Sequence, residues 1–465
     1  MTPQSRTDRR RLLVGLGIAT LCLNAAHPPA RAASQSPVQP DLVSRIDAAV
    51  EAARTAQHVP GISVGVLSRG KVVLAKGYGV AELENDVPAT EHTVYRIGSV
   101  TKQFTAAAIM TLVEDGRLSL DDDITKFLPT YPTRGHRISI DRLLTHTSGI
   151  KGYTEMPAFR DVMRQDLSHQ QLIDLFSAAP FEFDPGERYQ YNNSAYFLLG
   201  VIIEQVSGTS YSEFLAKRVF ERAGLLETYY LDESPIVKHR AQGYEYGGGH
   251  VVNDEFLSMA LPYAAGSLGS TVVDLMTWRQ ALTSGKVVTP ASYARMTTPA
   301  TLNDGSKTTY GYGLALATME GHRKVTHGGG INGFRADLAY YPDEDLTVVV
   351  LCNSGSAKPD LIGSRIARLV LGVPESAATP TPLGEAELKR YVGVYHPGRS
   401  PMPVTMAGGH LVLSGTPLVP VGPHRFIAED DPYLQVRFTV EGTTVQAMTV
   451  EREGQTTVAR RLPTP

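Results

Sequence analysis

A serine followed three residues later by a lysine can support nucleophilic chemistry when both lie on a helix, because residues three apart share one face. The pattern occurs three times, at Ser68/Lys71, Ser99/Lys102 and Ser148/Lys151, so spacing alone decides nothing. Ser68 lies in the turn-like run Ser68-Arg69-Gly70-Lys71, and Ser148 in the loop-like run Thr147-Ser148-Gly149-Ile150. Only Ser99 opens a strongly apolar stretch, Ser99–Val113, that reads as a buried helix. A helix start offers free backbone N–H groups and a positive dipole end. Burial there would disfavour the charged form of Lys102 and leave an amine able to accept a proton. The competing reading is a helix-capping serine beside a lysine whose ammonium reaches solvent.

Two further groups could complete a site. Tyr191-Asn192-Asn193 follows the turn Phe183-Asp184-Pro185-Gly186 and precedes an apolar helix. On such a loop Tyr191 could shuttle a proton and Asn193 could bind a substrate carbonyl. A loop-anchoring tyrosine and a helix-capping Asn193 would explain the same residues. His327-Gly328-Gly329-Gly330 stands before late strand-like segments. Glycines there would let a substrate lie along a strand edge and let N–H groups face an oxyanion, or they form a plain turn with a surface histidine. Gly61-Ile62-Ser63-Val64-Gly65 matches a lipase-type elbow, but Ser63 sits inside a strand pattern that runs on into a hairpin, not at the strand-to-helix turn that motif requires. The thirteen histidines show no metal-ligand spacing, and Asp121-Asp122-Asp123 reads as a solvated helix start. No metal and no cofactor is expected.

The elements that must hold these residues span roughly 41–372. Leu42–Ala56 has one apolar helical face, and Gly61–Leu67 and Val72–Tyr78 read as a hairpin. Glu114-Asp115-Gly116 stops the Ser99 helix, and Ala195–Val206 is a second buried helix ended by Gly208. Strand-like Val325, Ala336–Tyr341 and Leu346–Cys352 precede a last helix, Leu361–Leu371. The pattern predicts an α/β sandwich of α+β type: an antiparallel sheet completed by both ends of the segment and flanked by helices, with a helical insert. Beyond the linker-like run Pro374–Pro382, apolar residues alternate at Leu411/Leu413, Leu434/Val436/Phe438/Val440 and Val445/Ala447. That period of two predicts a small antiparallel sheet.

The N-terminus reads as an export signal: Arg6, Arg9, Arg10 and Arg11, an apolar run Leu12–Leu23 too short to span a bilayer, and the small-x-small pattern Ala30-Arg31-Ala32. Arg9-Arg10-Arg11-Leu12-Leu13 also fits a twin-arginine signal, so either export route is open. A periplasmic or secreted bacterial product is expected. The expected division is signal 1–33, a large domain 34–373, linker 374–384 and C-terminal β domain 385–465. The signal carries five arginines against one aspartate, so cleavage takes the formal charge from −3 to −7 and removes Cys22. That leaves Cys352, hence no internal disulfide. With 44 basic against 47 acidic residues and no basic run in the body, nucleic-acid binding has no electrostatic footprint. No membrane span is expected in the mature chain, and nothing in the sequence sets a subunit number.

Ser99-Val100-Thr101-Lys102, Tyr191-Asn192-Asn193 and His327-Gly328-Gly329, in that order, resemble the three motifs of the serine β-lactamase and penicillin-binding protein superfamily. Tyr95-Arg96-Ile97-Gly98, Leu143–Ile150 and Leu198-Leu199-Gly200 match around them. The class C β-lactamase-like branch, with its D-aminopeptidases, DD-peptidases and esterases, is the nearest in pattern. Tyr391-Val392-Gly393-Val394-Tyr395 resembles the opening of a lipocalin-like half-barrel that some of these hydrolases carry. The resemblance implies an acyl-enzyme mechanism. Ser99 would be the nucleophile, Lys102 its base and Tyr191 the proton relay. Asn193, His327 and Gly329 would bind substrate, and the N–H groups of Ser99 and Gly330 would form the oxyanion hole. The third motif departs from the usual Lys-Thr-Gly, because a histidine is largely neutral near pH 7. That favours small esters, amides or D-peptides, cell-wall fragments included, over β-lactams. A class C-like β-lactamase is the alternative within the family, and a non-catalytic penicillin- or peptidoglycan-binding protein is the alternative outside enzymes.

Overall fold

The computed structural model describes residues 40–232, 234–374, 379–397 and 401–462. The expected signal 1–33 and residues 375–378 of the expected linker lie outside them. Chain order begins with helix α1 (Pro40–Ala56), strands β1 (Gly61–Ser68), β2 (Lys71–Glu82) and β3 (Val87–Pro88), and helix α2 (Thr101–Glu114). A helical region follows, containing α3 (Asn193–Ser207) and α4 (Val272–Thr283). Strands β4 (Ala315–Met319), β5 (His322–Ile331), β6 (Phe334–Tyr341) and β7 (Leu346–Cys352) then lead to helix α5 (Pro359–Leu371).

The sheet has the order β3-β2-β1-β7-β6-β5-β4, and every neighbouring pair is antiparallel. The early hairpin and the late meander meet where Ile62 faces Cys352 and Ser68 faces Leu346. Both chain ends of this region therefore complete one sheet, as the periodicity predicts. β7 is buried along its whole length, because helices cover both faces. Ile46 and Val50 of α1 and Ile362 and Ile366 of α5 pack with Val64, Val66, Val348 and Val350 on one face. Phe104, Ile109, Leu199, Ile202 and Trp278 pack with Val349 and Leu351 on the other. Apolar burial on this scale is the main stabilising term.

The Ser99 helix begins differently from its pattern. Gly98–Val100 forms a 3₁₀ turn and the α-helix starts at Thr101. Gly98 has φ +49°, and a Cβ there would stand 2.9 Å from Gly330 N. Close backbone approach to β5 thus demands glycine and tightens the first turn. Gly116, φ +68°, follows the helix end as predicted. The three glycines after His327 lie inside β5 rather than in a turn before it.

The C-terminal region differs from the half-barrel expectation by closing completely. Strands β8 (Gly393–His396), β9 (Met402–Ala407), β10 (His410–Leu413), β11 (Thr416–Gly422), β12 (Arg425–Ala428), β13 (Gln435–Glu441), β14 (Thr444–Arg452) and β15 (Gln455–Arg461) form one barrel. β8 pairs with β15 through Tyr395 and Arg461, which removes both free edges. Leu411, Leu413, Val436, Phe438 and Val445 point inward as their alternation predicts. Met448 does so in place of Ala447, because a register shift at Thr439/Val440 changes the phase of β14.

Candidate active site

The 3₁₀ turn leaves Ser99 half-buried while Lys102, one turn on, is wholly buried. Lys102 Nζ lies 3.0 Å from Ser99 Oγ, 2.8 Å from Asn193 Oδ1 and 2.8 Å from the Ala265 carbonyl. Burial pushes its pKa well below the ordinary lysine value. All three oxygens can accept from Lys102 Nζ; in its uncharged form two N–H groups suffice for Asn193 and Ala265, which leaves the lone pair for the Ser99 hydroxyl. Rings of Tyr191 and Tyr196 stand 4.8 and 5.5 Å away.

Tyr191 reaches the same hydroxyl by a side-chain hydrogen bond with Ser99. Burial pushes the phenol up, and the Ser99 bond offsets this only partly. A raised phenol and a lowered amine shift both groups toward their neutral forms, since desolvation opposes the phenolate–ammonium pair.

Asn192, not Asn193, caps α3: its side chain accepts from Ala195 N at 2.9 Å. Asn193 is thereby released into the site, where Oδ1 accepts from Lys102 and Nδ2 donates to Thr154 Oγ1 at 3.1 Å. His327 is buried in β5 with both ring nitrogens occupied. Nδ1 lies 2.6 Å from the Gly328 carbonyl and Nε2 2.8 Å from Tyr310 Oη. Nδ1 must donate to the carbonyl, so Nε2 accepts from the tyrosine. Burial, with Lys102 nearby, lowers its pKa to about 3, and the ring is neutral.

β4 pairs with β5 only as far as Ala315 and Thr326. The His327–Ile331 half of β5 therefore has an edge free of β4. Gly329 is buried against Ile97, whose carbonyl a Cβ would strike. Gly328 and Gly330 are exposed. Ser99, Lys102, Tyr191, Asn193, His327, Gly329 and Gly330 thus converge, and the serine stands beside a strand edge offering backbone groups.

The other serine–lysine pairs do not form a site. Lys151 donates to Glu182 at 2.7 Å, and Ser68 ends β1. Ser63 is buried within β1 and donates to the Thr90 carbonyl at 2.7 Å. Gly248 and Gly249, with positive φ, make a hairpin turn between Tyr244–Gly247 and His250–Asn253. Among the described residues no group of histidines, cysteines and carboxylates could hold a metal, and no helix is long and apolar enough to cross a membrane.

Residues of this site that the spacing of motifs does not single out include His146 and Tyr310. His146, at φ +58°, accepts from the Asn192 N–H through Nδ1 at 3.1 Å. Its ring packs 4.4 Å from that of Tyr191 and 4.7 Å from that of Tyr310. The signal for it was Thr145-His146-Thr147-Ser148-Gly149, legible as a turn but not as a support for Tyr191.

A protein-family model described as Beta-lactamase matches residues 46–371. The D-aminopeptidase of Gluconobacter oxydans is 29% identical over 76% of this chain and 67% of its own length. Penicillin-binding protein 4* of Bacillus subtilis is 31% identical over 61% of this chain and 66% of its own length. The chain thus spans about two thirds of the length of these curated relatives. Among solved structures, the octameric penicillin-binding protein homologue from Pyrococcus abyssi aligns with a TM-score of 0.67 at 30% identity. It covers 90% of this chain and 98% of its own. The D-amino acid amidase of Ochrobactrum anthropi SV3, solved with L-phenylalanine amide, aligns with a TM-score of 0.63 at 25% identity, over 71% and 99% of the two chains.

Proposed function

The chain belongs to the Beta-lactamase family, and from that premise we propose that it is a serine hydrolase cleaving small amide, ester or D-peptide bonds through an acyl-enzyme. The observation that carries the proposal is the buried amine of Lys102 at 3.0 Å from Ser99 Oγ with a lowered pKa. Ser99 Oγ attacks the substrate carbonyl carbon and its proton passes to Lys102 Nζ. The developing oxyanion is met by the N–H groups of Ser99 and Gly330. As the bond to the leaving group breaks, Tyr191 gives that group its proton and recovers one from Lys102. Water then attacks the acyl carbon, its proton returns through the same pair, and Ser99 is released with the acid. Asn193 fixes the amine, while His327 and Gly329 shape the wall against which the substrate lies.

The relatives that act on D-amino acid amides and peptides support the amide side of this range. The neutral ring of His327 supports ranking esters and D-amino acid amides above β-lactams, which carry an acidic group. Cell-wall peptides belong to the same substrate class. We further place an export signal at 1–33, a catalytic domain at 34–373, a linker at 374–384 and a β domain at 385–465. Exposure of the purified chain to a fluorophosphonate, followed by mass spectrometry, tests the mechanism. An adduct on Ser99, absent from Ser99→Ala, is expected. A folded wild-type chain unlabelled at Ser99 would overturn it.

A further inference from the structure

His146 stands in the left-handed backbone region, at φ +58°, and is wholly buried. Residues other than glycine rarely adopt that conformation, and where they do the surrounding structure must enforce it. Here the enforcement is visible. The short helix Ile140–Leu144 runs straight into the turn. The His146 N–H donates to the Leu143 carbonyl at 3.3 Å, and the Thr147 N–H to the Arg142 carbonyl at 3.0 Å. Thr145 Oγ1 and Thr147 Oγ1 lie 2.9 Å apart, and both threonines are buried.

From this fixed position His146 holds the chain on both sides of Tyr191. Its carbonyl accepts from the Gln190 N–H at 3.0 Å, and its Nδ1 accepts from the Asn192 N–H at 3.1 Å. Between those two bonds the Tyr191 ring lies 4.4 Å from the imidazole, tilted by 41°. An Nδ1 that accepts puts the ring proton on Nε2. That Nε2 is buried and has no hydrogen-bond partner among the described residues. Buried polar atoms are normally paired. The ring thus forgoes one bond while keeping the acceptor and the face that bear on the Tyr191 loop. Burial, and then the nearness of Lys102 and His327, lowers its pKa well below the ordinary histidine value. The acceptor is therefore not lost to protonation.

We propose that His146 is a positioning residue for the proton relay, holding the Tyr191 hydroxyl against Ser99 through the two flanking amides and the face of its ring. The proposal rests on the acyl-enzyme reading above and deepens it. A displacement of about 1 Å at a reacting group can cost about 10²-fold in rate. The contacts of His146 run to the Tyr191 loop, so its loss should be felt wherever Tyr191 is needed. Tyr191 gives the leaving group its proton, and that need depends on the leaving group.

Leaving groups therefore separate this role from a merely structural one. p-Nitrophenoxide departs from p-nitrophenyl butyrate without a proton. Ethanol from ethyl butyrate and ammonia from D-alanine amide must each take one. His146→Gly keeps the left-handed backbone and its carbonyl but removes the acceptor and the ring. It is expected to lower kcat/KM about 10²-fold for ethyl butyrate and D-alanine amide, and less than about tenfold for p-nitrophenyl butyrate. His146→Asn, which also tolerates the left-handed region and restores a side-chain acceptor, should recover part of the loss. In a Tyr191→Phe background His146→Gly should cost less than about threefold further, because the two residues act as a unit. Equal losses on all three substrates, a full additional loss in Tyr191→Phe, or wild-type turnover by His146→Gly would overturn the proposal. If His146→Gly shows no cooperative melting transition, His146→Asn carries the same comparison, and equal losses there overturn it too. A wild type that is unlabelled at Ser99 by the fluorophosphonate, or that turns over none of the three substrates, refutes the parent reading. A labelled and active wild type whose variants lose rate regardless of leaving group refutes the role of His146 alone.

Discussion

Two lysines are buried in this molecule to nearly the same degree, and they do opposite things. Lys102, at 0% exposure, has no carboxylate against it among the described residues, and burial drives its pKa down. Lys324, at 3%, shares β5 with His327 and meets Glu453 of the barrel at 2.8 Å. Burial on its own would lower Lys324 too, but Tyr341, Asp337 and Glu453 outweigh it and raise its pKa. Burial sets the cost of a charge, and the partner decides whether the charge survives. An amine with only carbonyl and hydroxyl oxygens around it becomes a base. One with a carboxylate becomes a tie between two parts of the fold.

The sharpest way to break this contrast is the same substitution at both sites. Lys102→Met should lower the rate of Ser99 acylation by about 10⁴-fold, the upper range for a lost acid–base group. Its midpoint of denaturation should hold or rise, since functional sites are commonly built against stability. Lys324→Met should do the reverse: stability falls by about 3 kcal/mol because Glu453 loses its counter-charge in the interior. Denaturant titration reads it, and Lys324→Met/Glu453→Leu should regain most of the loss. Equal stability losses at the two lysines would end the comparison. Next in size is Tyr191→Phe, which keeps the ring against His146 and removes only the relay proton. Turnover should drop by at least about 10²-fold with stability nearly unchanged, and wild-type turnover would remove Tyr191 from the mechanism.

The pH dependence gives a smaller but signed effect. For Lys102 the folded pKa lies below the unfolded value near 10.4. Between those two values the unfolded chain binds the extra proton, so stability rises with pH there. For Lys324 the folded pKa lies above the unfolded value. Its stabilisation is complete below about pH 10.4 and is lost as pH climbs beyond it. Melting curves of wild type and Met variant should therefore converge with rising pH in both cases but from opposite sides: the wild type gains on Lys102→Met and loses its lead over Lys324→Met. Activity should rise with pH through the lowered Lys102 value, since the ammonium form cannot accept the Ser99 proton.

Much of this site was legible in the chain because its logic is local. Ser99 and Lys102 are one helical turn apart, and Tyr191 and Asn193 flank the start of α3. What escaped is what depends on distant packing. Asn192 rather than Asn193 caps α3, a choice set by Asn193 reaching Lys102, 91 residues away. The glycines after His327 lie within a strand paired to Arg335–Asp337, where Ile97 and Gly98 leave no room for a side chain on Gly329 or on Gly98 itself. Barrel closure was hidden because β8 and β15 pair across the whole C-terminal region, and no local period reports such a contact. The interface ion pairs of Glu453 and Arg452 join residues roughly 90 to 130 positions apart, beyond the reach of any spacing rule.

The gentlest test returns to His327, which lies three residues beyond Lys324 on the same strand. Its two nitrogens are held by Gly328 and Tyr310, and its pKa of about 3 keeps it neutral throughout the working range. If the ring is a neutral spacer, a neutral residue with a donor and an acceptor should replace it. His327→Gln should cost less than about tenfold in kcat/KM, the scale of one or two neutral hydrogen bonds, and should leave the pH profile unmoved. His327→Lys tests the other direction, because it places a cation in the third motif at a buried position beside the Tyr310 hydroxyl. If that cation is tolerated, a fluorescent penicillin should label Ser99 faster than in the wild type while neutral esters are hydrolysed more slowly. If instead His327→Gln removes the acidic limb of the profile, a titrating histidine rather than Lys102 governs the site, and the contrast between the two lysines loses its catalytic half.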